Sequence, residues 1–197
     1  MNSETKKLDR SIKISVLGAI AFILMFIEVP VIPLFPWLKM DLSEVPVLMG
    51  AFAFGPLSGI VIEILKLVLH LLIKGTSTGG IGELANFLVG AAFILPASII
   101  YNKHRSKKTA IIGMIVGALV MEAVGIISNV YLLLPAYGMQ MDSTYLMKYV
   151  TIGLLPFNGI KAVVVSIITF ILYRRVSTSV FKVQSNFGDN KKIENRV

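Results

Sequence analysis

Hydrophobic runs of membrane length, separated by short polar breaks, occupy the chain from Ile12 to Tyr173. The first, Ile12 to Val29, stops at Pro30, Pro33 and Pro36, which lack backbone donors and end helices. In the following stretch, PWLKMDLSEVPVLMGAFAFGP from Pro36 to Pro56, Lys39, Asp41, Ser43 and Glu44 interrupt apolar sequence. It reads either as a polar lid over apolar helices or as a plain surface connector held by a helix cap. Ser43 is the candidate N-cap of a second helix that runs to Phe54, before a Gly55-Pro56 break. At about 1.5 Å per residue that helix is too short to cross a core about 30 Å thick. A third run, Leu57 to Ile73, carries Glu63, Lys66 and His70 on one helical face. The turn Gly75 to Gly82 leads to a fourth span, Glu83 to Tyr101. A fifth, Thr109 to Leu134, follows the basic loop 102–108, and a sixth, Tyr149 to Tyr173, follows the loop Pro135 to Lys148.

This pattern predicts an all-α integral membrane protein of six transmembrane helices, with residues 1–175 as one domain. Residues 176–197 form a polar cytoplasmic tail without apolar periodicity, expected to be disordered. Composition agrees, since only 15% of the 197 residues are charged and 55% are hydrophobic, against about a quarter charged in soluble proteins. The amino terminus, the loop 102–108 and the carboxyl end from Arg174 onward carry 4, 4 and 6 Lys and Arg residues, and the three intervening loops one each. The positive-inside rule then puts both termini in the cytoplasm and the lid outside the cell membrane. A net charge of +8 distributed in this way needs no nucleic-acid partner. The basic start resembles a signal peptide, but its apolar run exceeds about 15 residues and no small-x-small site follows it.

The chain has no cysteine, which removes disulfides, thiolate nucleophiles and zinc-thiolate sites. Its two histidines, His70 and His104, sit in a span and in the basic loop, so neither a two-histidine metal site nor an adjacent base and nucleophile is evident. A phosphate loop aligned on Gly75 and Gly80 puts Ile81 and Gly82 where Lys and Ser or Thr belong. No catalytic residue, catalytic cofactor or metal ligand is assigned.

Asn158 and Lys161 lie one turn apart inside the sixth span, where both need partners. Asn129 in the fifth span and Glu83 and Asn86 at the start of the fourth share the lid-side level, so the five can ring one cavity. Amides offer donors and acceptors together, which suits a neutral heterocycle or polyol better than a metal or a phosphate. Trp37, Leu38, Met40, Tyr131 and Tyr137 offer surface for a flat ring. Pro156 frees a carbonyl near Thr151, as in broken helices that line sites. The same polar residues also read as glue between helices, and Glu83 as a complement to a helix dipole. In the first span Ser15, Gly18, Ala19 and Ala21 form a small-residue face that either docks a membrane partner or packs internally.

Three segments, LKMDLSEVPVLMGAFAFGPLSGIVIEILK (38–66), GELANFLVGAAFILP (82–96) and LPFNGIKA (155–162), resemble in order the substrate-binding S components of energy-coupling factor (ECF) vitamin transporters, and most closely the riboflavin-specific members. The resemblance covers residues 12–175. It implies a six-helix protein that captures riboflavin from outside, as transported ligand, and delivers it with a transmembrane coupling protein and two cytoplasmic ATPases. It also implies that Asn129, Asn158 and Lys161 hold the flavin and that Leu38, Met40, Asp41 and Leu42 belong to the apolar wall under the lid. The family's Ala-x-x-x-Ala pattern, which meets the coupling protein, is here Ser15-x-x-x-Ala19. A different vitamin, an intramembrane enzyme using Glu63, Glu83 or Glu122, and a purely structural subunit are the competing readings.

Overall fold

The computed structural model describes residues 3–181, in which five long helices surround a short sixth. Helix α1 spans Ser3–Met25, α2 Glu44–Phe54, α3 Pro56–Lys74 and α4 Ile81–Lys103. Helix α5 is continuous over Lys107–Ala136. Helix α6 joins Ser143–Lys148, Tyr149–Leu154 and Leu155–Ser179. Four of the six, α3 to α6, are long and apolar enough to cross a membrane. Helix α2, at 11 residues, is only about 16 Å long, and α1 opens on charged turns. Helix α6 continues past the expected end at Arg175, and the expected disordered tail lies mostly in 182–197, outside the described residues.

Helix α1 ends four residues before Val29, where apolar sequence runs out, because the Pro30 ring forbids α geometry at the residue before it and clashes with the carbonyl four back. The chain instead pairs Val29–Pro30 (β1) with Lys39–Met40 (β2) as an antiparallel ribbon, Val29 opposite Met40. This ribbon, which hydropathy does not signal, frames the lid.

Helix α2 starts where expected, but the Ser43 hydroxyl does not cap it. That oxygen accepts from Lys66 Nζ at 3.2 Å, and Asp41 Oδ1 accepts from the Ser43 amide at 2.7 Å. At its other end, Gly55 adopts φ 98°, a conformation that suits glycine, and Pro56 opens α3 at once. The Arg10 guanidinium donates to the Phe54 carbonyl and to Ser58 Oγ, both at 2.7 Å, which ties α1 to this break.

The basic-loop end of the bundle is tightly closed. Ser106 and Thr109 form a reciprocal capping box at the start of α5. Phe52, Tyr101 and Tyr173 pack ring against ring, with centroids 4.5, 5.6 and 5.9 Å apart. Helices α4 and α5 meet backbone to backbone because Gly113 and Gly117, four apart, turn no side chain toward Ala97 and Phe93. On α1, Gly18 is buried against Leu65, whereas Ser15 and Ala19 are exposed, so the small-residue face is divided between an internal and an external role.

An added Cβ at Gly113 would stand 2.5 Å from the Ala97 carbonyl oxygen, which cannot swing aside. Gly113→Ala should therefore lower stability by about 1–3 kcal/mol, read as thermal unfolding in detergent. Gly159→Ala, which meets open space, should leave the melting temperature unchanged or slightly higher.

Candidate binding cavity

The opposite end is held open by the lid. Phe35, fully buried, seats the loop between β1 and β2 against α6, and Leu38 follows it inward. Beneath lies a cavity of about 740 Å³, within the roughly 300–1,000 Å³ typical of small-molecule sites. The lid, the end of α3, the turn after it and the starts of α4 and α6 all contribute, as does α5 at Asn129.

Of the residues singled out from sequence, Leu38, Glu83, Asn86, Asn129, Asn158 and Lys161 line this cavity together, with Trp37 and Tyr137. Met40, Asp41 and Leu42 instead border a separate apolar cleft of about 230 Å³ between α1, the lid and α6. Tyr131 is 73% exposed on the outside of α5. Two residues at about 100° each put it on the face opposite Asn129, whereas Leu133, four on, shares the cavity with Asn129. The spacing alone could have separated them.

The amides are held in defined orientations. Asn158 Nδ2 reaches Glu122 Oε1 at 3.5 Å, and Gly125 makes room for it, since a Cβ there would sit 2.6 Å from that nitrogen. Asn129 is tethered by the Gly125 carbonyl and the Tyr149 hydroxyl. Lys161, 7% exposed, opens onto the cavity, whose other two ammonium groups, Lys39 and Lys74, pair with Glu28. Glu83 accepts from Thr76 Oγ1 at 2.9 Å, which pins the turn to α4. His70, buried in the same wall, places Nδ1 3.9 Å from Glu83 Oε1.

Sequence reading missed Tyr149 and Phe157 as wall residues. In a regular helix nine residues turn through about 900°, which sets Tyr149 opposite Asn158. The wider i→i+5 turns over Tyr149–Leu154 advance less per residue and bring it round to the cavity.

Below the cavity floor, Glu63 and Lys66 are fully buried and Glu44 nearly so. Lys66 Nζ stands 2.7 Å from Glu63 Oε1 and 2.9 Å from Glu44 Oε1, and it also donates to Asn86 Oδ1 at 3.4 Å. The polar face of α3 thus divides: Glu63 and Lys66 join α2, α3 and α4, while His70 faces the cavity. Burial pushes the Asp41 carboxyl up, but the Lys161 and Lys66 ammonium groups and the Ser43 hydrogen bonds outweigh it and hold it below the usual range. Among the described residues no group of three His, Cys, Asp or Glu side chains is placed to hold a metal ion. Amides, hydroxyls, aromatic walls and three ammonium groups, two of them offset by Glu28, equip the cavity to hold a mostly flat, neutral molecule with donors and acceptors on its edge.

The model of the family described as ECF transporter, substrate-specific component, matches residues 9–173. The chain is 42% identical over 172 residues to the riboflavin transporter RibU of Staphylococcus aureus (strain TCH60), covering 85% of this chain and 90% of that protein. It is 35% identical over 173 residues to the riboflavin transporter FmnP of Bacillus subtilis (strain 168), covering 85% and 91%. A solved structure of the S component of a bacterial ECF transporter superposes with a TM-score of 0.75 at 42% identity, covering 87% of this chain and 97% of that one.

Lys66→Met would leave Glu44 and Glu63 facing each other without a cation. A loss of about 3–5 kcal/mol is expected, measured by thermal unfolding in detergent near neutral pH. Asp41→Asn should lower the melting temperature at pH 7. Because the folded carboxyl titrates below its unfolded value of about 3.9, its contribution is full above that pH and fades only as pH falls through the lower folded value. The gap between wild type and variant should therefore stay constant from pH 7 to pH 5.

Proposed function

The chain belongs to the family of substrate-specific components of ECF transporters, and on that footing we propose that it binds riboflavin as its transported ligand. Its relatives are transporters, and the sequence identity to two riboflavin transporters over nine-tenths of their length favours the same ligand here. The observation that carries the reading is the cavity under the lid, where Asn129, Asn158 and Lys161 meet apolar and aromatic walls. Riboflavin has a matching division: a flat tricyclic ring with apolar faces, a pyrimidine edge of alternating donors and acceptors, and a polyhydroxyl tail. Burying the ring supplies most of the affinity at about 25 cal/mol per Å². The amides and the ammonium supply selectivity, since a site built to hydrogen-bond a group rejects analogues that lack it.

The distribution of Lys and Arg supports an orientation with both termini in the cytoplasm and the lid facing outside. In that orientation the protein captures the vitamin from outside the cell. It would pass it inward with a transmembrane coupling protein and two cytoplasmic ATPase subunits. The exposed Ser15 and Ala19 on α1, one turn apart, would meet the coupling protein, while Gly18 serves packing against α3.

Titration of the detergent-purified chain with riboflavin, followed by quenching of flavin fluorescence, should saturate at one vitamin per chain. Lys161→Ala and Asn158→Ala should each weaken binding by about 1–3 kcal/mol through an unpaired ligand group. No quenching by folded wild-type protein would transfer the site to a different vitamin, and unchanged affinity in both variants would take these two residues out of it.

A further inference from the structure

Helices α5 and α6 both leave α-helical bonding near the lid, over Asn129–Leu133 and Tyr149–Leu154. Such wide turns are rare and recur at functional sites. Here the first residue of one is bonded to the first residue of the other, with the Tyr149 hydroxyl donating to Asn129 Oδ1 at 3.0 Å. The same amide donates through Nδ2 to the Gly125 carbonyl at 2.9 Å. A primary amide has two N–H donors and two acceptor lone pairs. The two tethers use one of each and leave one donor and one acceptor for the cavity that both residues line. Turning the amide over would face Oδ1 toward the Gly125 carbonyl, two acceptors together, so the orientation is determined.

Tyr149 is also where the lid docks. It is 1% exposed, with the Phe35 ring 5.1 Å and the Trp37 ring 6.2 Å from its own, centroid to centroid. Phe35 sits over Gly153 in the same wide-turn segment, where an added Cβ would stand 2.8 Å from its ring. One side chain therefore meets the lid with its ring and the cavity amide with its hydroxyl.

We propose that Tyr149 is a positioning residue that links lid docking to ligand selection: its ring receives Phe35 and Trp37, and its hydroxyl fixes the Asn129 amide so that one N–H and one lone pair face the edge of a heterocyclic ligand. This rests on the reading that the cavity takes riboflavin. It goes beyond that reading by assigning the group that orients one of the recognising amides, and that group is supplied by a residue whose aromatic face alone would pass for packing.

Tyr149→Phe keeps the ring and removes only the hydroxyl. In the full-length ¹⁵N-labelled chain in detergent, without ligand, the Asn129 side-chain amide resonances, assigned by their loss in Asn129→Ala, should shift, while those of Asn158 stay in place. The riboflavin dissociation constant should rise 5- to 20-fold with the melting temperature within a few degrees of wild type. Affinity within twofold of wild type would overturn the proposal. So would weaker binding with unmoved Asn129 resonances, which would assign the hydroxyl to the ligand itself, or loss of the fold, which would assign it to holding the bundle. Failure of the wild-type chain to bind riboflavin would remove the proposed ligand instead, and the ligand-free resonances would still decide whether Tyr149 orients Asn129.

Discussion

The Lys66 ammonium, buried without solvent contact between the carboxylates of Glu44 and Glu63, is the interaction around which the bundle is arranged. An ammonium in such surroundings is tolerable only when paired and hydrogen-bonded on several sides. Its partners come from the first turn of α2, from α3 itself and from α4 through Asn86. Helix α2 is too short to cross a membrane, yet ten of its eleven residues are buried. It can hold that central place because its amino end is fastened to Lys66 and its carboxyl end to Arg10. The lid hangs from the same anchor, since Asp41 and Ser43 lead directly into α2 and Ser43 accepts from Lys66.

From that anchor the two ends of the molecule diverge. Toward the basic loop, Gly113 and Gly117 let α4 and α5 touch through backbone, and the Phe52, Tyr101 and Tyr173 rings fill what remains. Toward the lid, wide turns in α5 and α6 and a proline-rich loop replace close helix packing. A tight base with a splayed top gives a cavity open on the lid side and sealed below by charge pairs. The lid thus has two fixed points: its tip, Phe35 and Trp37, docks on Tyr149, and its foot, Asp41 to Ser43, is held at the Lys66 cluster.

The polarity of single residues made much of this legible. Asn129, Asn158 and Lys161 lie in runs where a polar side chain is expensive, and that expense alone marks them for a shared cavity. Glu83 and Asn86 were legible from their level in the fourth span, and Gly55-Pro56 from turn chemistry. What escaped was geometry that departs from the regular period. Tyr149 is on the right face only because its segment is under-rotated, whereas the outward turn of Tyr131, two residues from Asn129, was already in the spacing. The ribbon at Val29–Pro30 and Lys39–Met40 has no hydrophobic alternation to announce it, and it sends Met40 and Leu42 toward a second cleft. The division of the α3 polar face is likewise a tertiary outcome, since Glu63 and Lys66 find partners on α2 while His70 lies one turn closer to the lid.

Selectivity in such a site depends on how little its polar groups can rearrange. An amide free to rotate would satisfy a wrong ligand edge almost as well as the right one, and discrimination would shrink to shape. Here each cavity asparagine is restrained by a group behind it, Asn158 by Glu122, Asn129 by Gly125 and Tyr149, and Asn86 by Lys66. On the proposed reading of these amides, the ordering cost is met when the protein folds rather than when the ligand arrives, which leaves more of the apolar burial to appear as affinity. The wide turns contribute to the same end, because they set the backbone so that the tethered amide and the lid-bearing ring converge on one wall. A cavity lined with the same residue types on regular helices would have kept its composition and lost this alignment.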